Sequence, residues 1–174
     1  MKHSVVGIVH TQIEAENLVT ELRASRFTDN DISVLFPDKD GTKDFAHKNS
    51  TKAPEGAVAG AGTGGVIGGA LGLLAGIGAL AVPGVGPLIA AGPIMAALSG
   101  AAVGAAVGGL SGALIGMGVP EYEAKMYEGK VRDGNILVAV HCDNTTDQKR
   151  AEDLFKVNKA SDIHCVGEAA VGKS

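Results

Sequence analysis

The sequence predicts an α+β fold, a ferredoxin-like sandwich of βαβ–αβαβ order split by a long apolar hairpin of two glycine-zipper helices. Three observations carry this expectation. Residues 56–120 contain no Lys, Arg, Asp, Glu or His. Within them glycine recurs every fourth residue, at Gly56, Gly60, Gly64, Gly68, Gly72 and Gly76 and again at Gly100, Gly104, Gly108, Gly112 and Gly116. The charged flanks on either side repeat one strand–helix–strand pattern.

The first flank, residues 1–55, opens with the apolar run Val5-Val6-Gly7-Ile8-Val9-His10, read as a strand. Gln12 to Ser25 follows with Ile13, Ala15, Leu18, Val19 and Leu22 at helical spacing, so these side chains are expected to face inward. Asp31 to Phe36 reads as a second strand. The second flank, residues 120–174, begins with a helix from Glu121 to Arg132, ended by Asp133-Gly134, where glycine suits a C-terminal cap. Ile136 to His141 is then a strand, Thr146 to Asn158 a helix carrying Ala151, Leu154, Phe155 and Val157, and Asp162 to Val166 a closing strand. Val9-His10 aligns with Val140-His141, and Asp31-Ile32 aligns with Asp162-Ile163. Two such units make a four-stranded antiparallel sheet with helices on one face. The flanks together suffice for one modest core, and residues 56–119 interrupt it as an insertion.

Residues four apart share one helix face, so each glycine row predicts a stripe where a second backbone approaches closely. The two helices are expected over about 57–80 and 88–117, each long enough at 1.5 Å rise per residue to cross a roughly 30 Å hydrocarbon layer. Pro83, Gly84, Gly86 and Pro87 form the expected turn, because proline ends a helix and glycine accepts turn geometry. Ten glycines between Gly56 and Gly78 cost an isolated helix roughly 8 kcal/mol relative to alanine. The stretch therefore needs lipid or the interior of an assembly to stay helical. Tyr122 and Tyr127 are the aromatics available to lie at an interface.

The N-terminus runs directly into strand sequence without a basic segment and an apolar core, so no secretory signal is expected. Lys43, Lys48 and Lys52 precede the insert and Lys125, Lys130 and Arg132 follow it, which places both termini on the cytoplasmic side of an inner membrane. A cytoplasmic particle with a sealed apolar interior is the alternative.

No catalytic, cofactor or metal residues are expected. Gly167 to Ser174 spells the phosphate-loop pattern G-x-x-x-x-G-K-S, but no helix follows Ser174 to present backbone N–H groups. Gly60 to Gly65 fits G-x-G-x-x-G, yet no strand precedes it and no acidic residue follows near the required spacing. His10 and His141 end strands expected side by side, with Cys142 next, which is the geometry of a small metal or redox site, but no carboxylate spacing or C-x-x-C accompanies them. Cys142 and Cys165 fall on non-neighbouring strands, beyond disulfide reach, and two reduced thiols suit the cytosol. With a formal net charge of -4 and no aromatics on the central strands, nucleic acid is not an expected partner.

The uncharged zipper, the return Gly118-Val119-Pro120-Glu121-Tyr122-Glu123-Ala124, and Tyr127 and Gly134 leading into the next strand resemble the general stress protein family with its heat-induced YflT-like members. The resemblance covers nearly the whole chain. A more distant similarity is to the membrane-attached ActD-like subunit of quinol-oxidising complexes. The stress family implies a role in envelope or general stress without catalysis. The expected protein is thus a non-enzymatic homo-oligomer contacting membrane lipid through packed hairpins. Docking of the hairpin onto the helices of a membrane complex, or a soluble particle, are the alternatives.

Overall fold

The structure is a computed structural model that describes residues 3–37, 78–82, 86–92, 109–112, 114–116 and 118–167. In chain order these form β1 (His3–Val9), α1 (Gln12–Ala24), β2 (Ile32–Pro37), β3 (Gly78–Val82), β4 (Gly86–Ala91), α2 (Glu121–Arg132), β5 (Ile136–Cys142), α3 (Thr145–Val157) and β6 (Ser161–Gly167). Residues 109–112 and 114–116 are helical as well. The strands make one six-stranded sheet in the order β3-β4-β2-β5-β1-β6, antiparallel at every pairing.

The helices start and stop where local chemistry directs. Thr11 caps α1 through its hydroxyl, which accepts from the Glu14 N–H at 3.2 Å, while the Glu14 carboxylate accepts from the N–H groups of Thr11 and His10. This capping box satisfies donors that a helix start leaves unpaired. Asn144 does the same for α3 by accepting from Asp147 N–H at 2.9 Å. At the other ends, Arg26 and Lys159 adopt φ of 75° and 61°, and the following N–H groups of Phe27 and Ala160 reach back to Leu22 and Phe155 carbonyls. Both helices of the repeated unit therefore close with the same left-handed cap.

β1 and β5 lie side by side within the sheet, paired from His3 opposite Cys142 to Val9 opposite Ile136. Alternate residues of these strands serve two cores. Val5, Val9, Val138 and Val140 pack with Leu18, Leu22, Ala151 and Phe155 of α1 and α3. Val6, Ile8, Leu137 and Ala139 pack with Ala124, Tyr127 and Val131 of α2 and with Leu110 and Leu114. Helices thus cover both faces, not the single face that the sequence predicts. The continuous run of buried residues from Val5 to Val9 follows from that double cover. Gly7 is the exception with a reason: a Cβ there would come within 2.7 Å of the Phe155 ring. The absent side chain leaves room for the ring.

The central insert departs most from expectation. Residues 78–82 and 86–91 are strands, so neither expected helix, 57–80 or 88–117, holds over its hairpin-facing end. β3 and β4 form an antiparallel hairpin, with Val82 opposite Gly86, and β4 pairs with β2 from Val34 opposite Ala91 to Pro37 opposite Leu88. Of the expected turn residues, Gly86 and Pro87 lie inside β4, and Pro83 and Gly84 lie outside the described residues. Without β4, the β2 edge would present unpaired backbone N–H and C=O groups, and the hairpin satisfies them. Gly92 closes this junction at φ 79°, where a Cβ would strike the Ile32 carbonyl oxygen.

Among the described residues no helix is long and apolar enough to cross a membrane. The expected inner-membrane spans, and the transmembrane placement built on them, are corrected accordingly. Helical residues 109–112 and 114–116 instead return to the sheet, where Leu110 and Leu114 are buried and the Ser111 N–H donates to Glu128 of α2 at 2.6 Å.

Two substitutions test this packing by urea unfolding. Gly7→Val should lower stability by about 1–3 kcal/mol through overpacking against Phe155. Gly92→Ala should cost at least about 1–2 kcal/mol, the penalty of a left-handed non-glycine residue, with the carbonyl collision added. Unchanged midpoints for both would refute the assigned contacts.

Candidate functional site

The densest polar constellation among the described side chains joins α2 to the edge strand β6. α2 presents Ala124, Tyr127 and Val131 inward at helical spacing, and all three are buried. The Tyr127 hydroxyl lies 2.6 Å from the Asp162 carbonyl oxygen, 2.9 Å from His164 Nδ1 and 3.4 Å from the Val6 carbonyl oxygen. A phenol has one proton. The short contact to the Asp162 carbonyl takes it, so the Tyr127 oxygen accepts from His164 Nδ1–H. The two rings meet edge to face at 6.0 Å.

Around this core, Glu123 Oε1 lies 3.9 Å from His164 Nε2, and Lys130 Nζ lies 3.5 Å from the Asp162 carboxylate. Ser161 donates to the same carboxylate at 3.2 Å. Asp162 sits at φ 51°, a left-handed conformation that turns its carbonyl toward Tyr127. Burial is the main reason Tyr127 is pushed well above the ordinary phenol range, with the charges of Glu123 and Asp162 adding to it. A phenol so held is a poor proton donor near neutral pH. The arrangement acts as a clamp between helix and strand. It also corrects the expectation that Tyr127 lies at an interface, whereas Tyr122 is exposed.

The histidines weighed as a metal site do not meet. Antiparallel pairing sends His10 to the Ile136 end and His141 to the Ser4 end of the central ladder, roughly 20 Å apart at strand rise. His10 instead hydrogen-bonds Asn135 through Nδ1 at 2.8 Å. His141 borders an open cleft of about 530 Å³ between the end of α1 and the start of α3, with Arg26, Asp31, Asp147 and Arg150. Within the cleft Arg150 pairs with Asp147 at 3.0 Å, and Asp31 accepts from the N–H and hydroxyl of Thr28. Among the described residues no group of three His, Cys, Asp or Glu side chains is placed to hold a metal ion.

The thiols are both free, Cys142 buried and Cys165 exposed. β1 lies between their strands, as the sequence predicts. Burial pushes the Cys142 thiol up to about 12. Cys165 is pushed up to about 11 by partial burial and by its hydrogen bond to Glu152 Oε1 at 2.7 Å. That same bond, with Gln148 assisting, holds the Glu152 carboxyl below the usual range.

Comparison with known protein families, characterised proteins and solved structures yields no match. The functional reading therefore rests on residues and geometry.

Of the glycine rows, Gly56, Gly60, Gly64, Gly68, Gly72, Gly76, Gly100, Gly104 and Gly108 lie outside the described residues, as do Pro83, Gly84, the fingerprint-like run 60–65 and the tail 168–174. Gly112 and Gly116 are helical, and a Cβ on Gly116 would meet nothing within 4 Å. The Tyr127 clamp escaped the sequence reading. Its one signal was the spacing of Ala124, Tyr127 and Val131, which marked the inner face of α2 but not the His164 partner on a strand 37 residues away.

Tyr127→Phe should cost about 1–3 kcal/mol at neutral pH through the unpaired Asp162 carbonyl and His164 donor. A raised phenol favours folding fully below its ordinary value near 10 and loses that contribution as pH climbs beyond it. The stability gap between wild type and Tyr127→Phe should accordingly narrow from pH 8 to pH 11 in chemical denaturation, and a constant gap would refute the clamp. Separately, Cys165 should alkylate with iodoacetamide at pH 8 on the order of 100-fold more slowly than a free thiol despite its exposure, and Glu152→Gln should speed it. Equal rates would remove the Cys165–Glu152 bond from the account.

Proposed function

We propose that the protein is a non-enzymatic, self-associating module of the general-stress type, whose uncharged insert packs between copies. In this reading β6-β1-β5-β2 is a ferredoxin-like core, and hairpin β3–β4 extends it at the β2 edge. The glycine-striped segments 56–76 and 100–116 flank that hairpin and supply the surfaces on which copies meet.

One observation carries the proposal. Gly116 ends the second glycine row, yet a Cβ there would meet nothing within 4 Å among the described residues. A stripe of small residues serves close approach of another backbone, and no described residue of the chain takes that place at Gly116. The uncharged composition of residues 56–120 agrees, because a surface without charge is best removed from water by a like surface. The stress assignment rests on the Gly118 to Ala124 return and its resemblance alone.

Sedimentation velocity over a range of protein concentrations tests this. Wild type should form a defined oligomer, and Gly116→Leu should shift it toward smaller species without lowering the unfolding midpoint, since no described residue of the chain lies within 4 Å of the added Cβ. A wild type that stays monomeric at every concentration would overturn the proposal.

A further inference from the structure

The two ends of the sheet are built differently. At one end stands β6, with Asp162 at φ 51°, a register shift against β1 between Val6 and Ile8, and the charged pair of Lys130 with Asp162 beside it. Bulges, irregular backbone and charges are the devices by which edge strands avoid pairing with other chains. At the other end stands β3, with the sequence Gly78-Ala79-Leu80-Ala81-Val82. It carries no charge and no proline, and among the described residues no strand lies beyond it. The hairpin partner β4 is equally uncharged.

We infer that β3 is a pairing edge for a second copy of this chain, joining two sheets antiparallel about a two-fold axis. The inference rests on the self-association proposed above and adds a second contact beside the glycine-striped segments. Three arguments select this occupant. Each chain carries a formal net charge of -4, so two copies repel except where both surfaces are neutral, and the β3–β4 hairpin is neutral on both. A head-to-tail pairing of β3 with β6 would set the uncharged strand against the guarded one, and it would propagate into open filaments where a two-fold contact closes. The five-residue strand is also self-complementary: antiparallel pairing centred on Leu80 sets Leu80 opposite Leu80, Ala79 opposite Ala81 and Gly78 opposite Val82, with no charge or proline in the ladder. Main-chain hydrogen bonds supply the attraction, as in other strand-addition contacts.

Two measurements decide it. In sedimentation equilibrium, the double substitution Ala79→Lys, Ala81→Lys should weaken association by at least about tenfold, since charges on an edge strand oppose pairing. The second needs no loss of folding or affinity. In a Cys165→Ser background, Leu80→Cys should oxidise to a covalent dimer, because directly opposed residues of an antiparallel pair lie within disulfide reach. Ala79→Cys in the same background should not, its twin being displaced along the ladder. Concentration-dependent assembly with no Leu80→Cys dimer, or with the lysine variant unaffected, would overturn the edge pairing while leaving self-association standing. A wild type that never associates would remove both.

Discussion

The antiparallel ladder between β1 and β5 is the constraint on which the rest of the structure depends. It joins residues 3–9 to residues 136–142, bridging more than 120 positions of sequence that include the whole insert. Because side chains alternate across a strand, this one register divides the interior into two cores. Val5, Val9, Val138 and Val140 face α1 and α3, while Val6, Ile8, Leu137 and Ala139 face α2. Slipping by one residue would exchange the two sets and place Gly7 away from the Phe155 ring it accommodates. The same ladder carries His10 and His141 to opposite ends of the sheet, which is why a pair that aligns in sequence makes no site in space.

The flanking elements were legible because their signals are local. Apolar spacing marked the strands and helices, and Gly134 marked the end of α2. α2 itself spans the residues expected, Glu121 to Arg132. Side-chain direction was less secure. Ile13 and Val157 fit an apolar stripe but lie 70% and 71% exposed, because each sits at a helix end beyond the reach of the sheet. The second covered face was also missed. A strand buried on both sides and a strand buried on one can share a run such as Val5-Val6, and only the packing of α2 separates them.

The insert shows the limit of periodicity more sharply. A glycine every fourth residue marks a helix face, but four is also twice the strand repeat, so the pattern does not exclude β-structure where it is interrupted. Across Gly78 to Ala91 the regular rows are absent, and prolines at 83 and 87 bracket a turn. What decided the outcome there was non-local: the edge of β2 needed hydrogen-bond partners, and an uncharged hairpin could supply them. The length of the uncharged stretch pointed toward lipid, whereas the pairing of β4 with β2 shows part of that stretch completing the sheet. Leu88, Ile89 and Ala90 are buried against it.

The chemistry of the buried polar groups follows from that same enclosure. Tyr127 and Cys142 are kept in their protonated forms by burial, and Cys165 is restrained by partial burial and a neighbouring carboxylate. A nucleophile or general acid near neutrality requires the opposite shift, toward a lowered thiol or phenol. These side chains therefore contribute hydrogen bonds and packing, and the clamp formed by Tyr127, Asp162 and His164 fastens α2 onto β6. It also holds the helix whose Glu128 receives the returning insert at Ser111. Among the described residues the sheet and α2 hold the insert through β4 on β2 and through Leu110, Ser111 and Leu114 against α2.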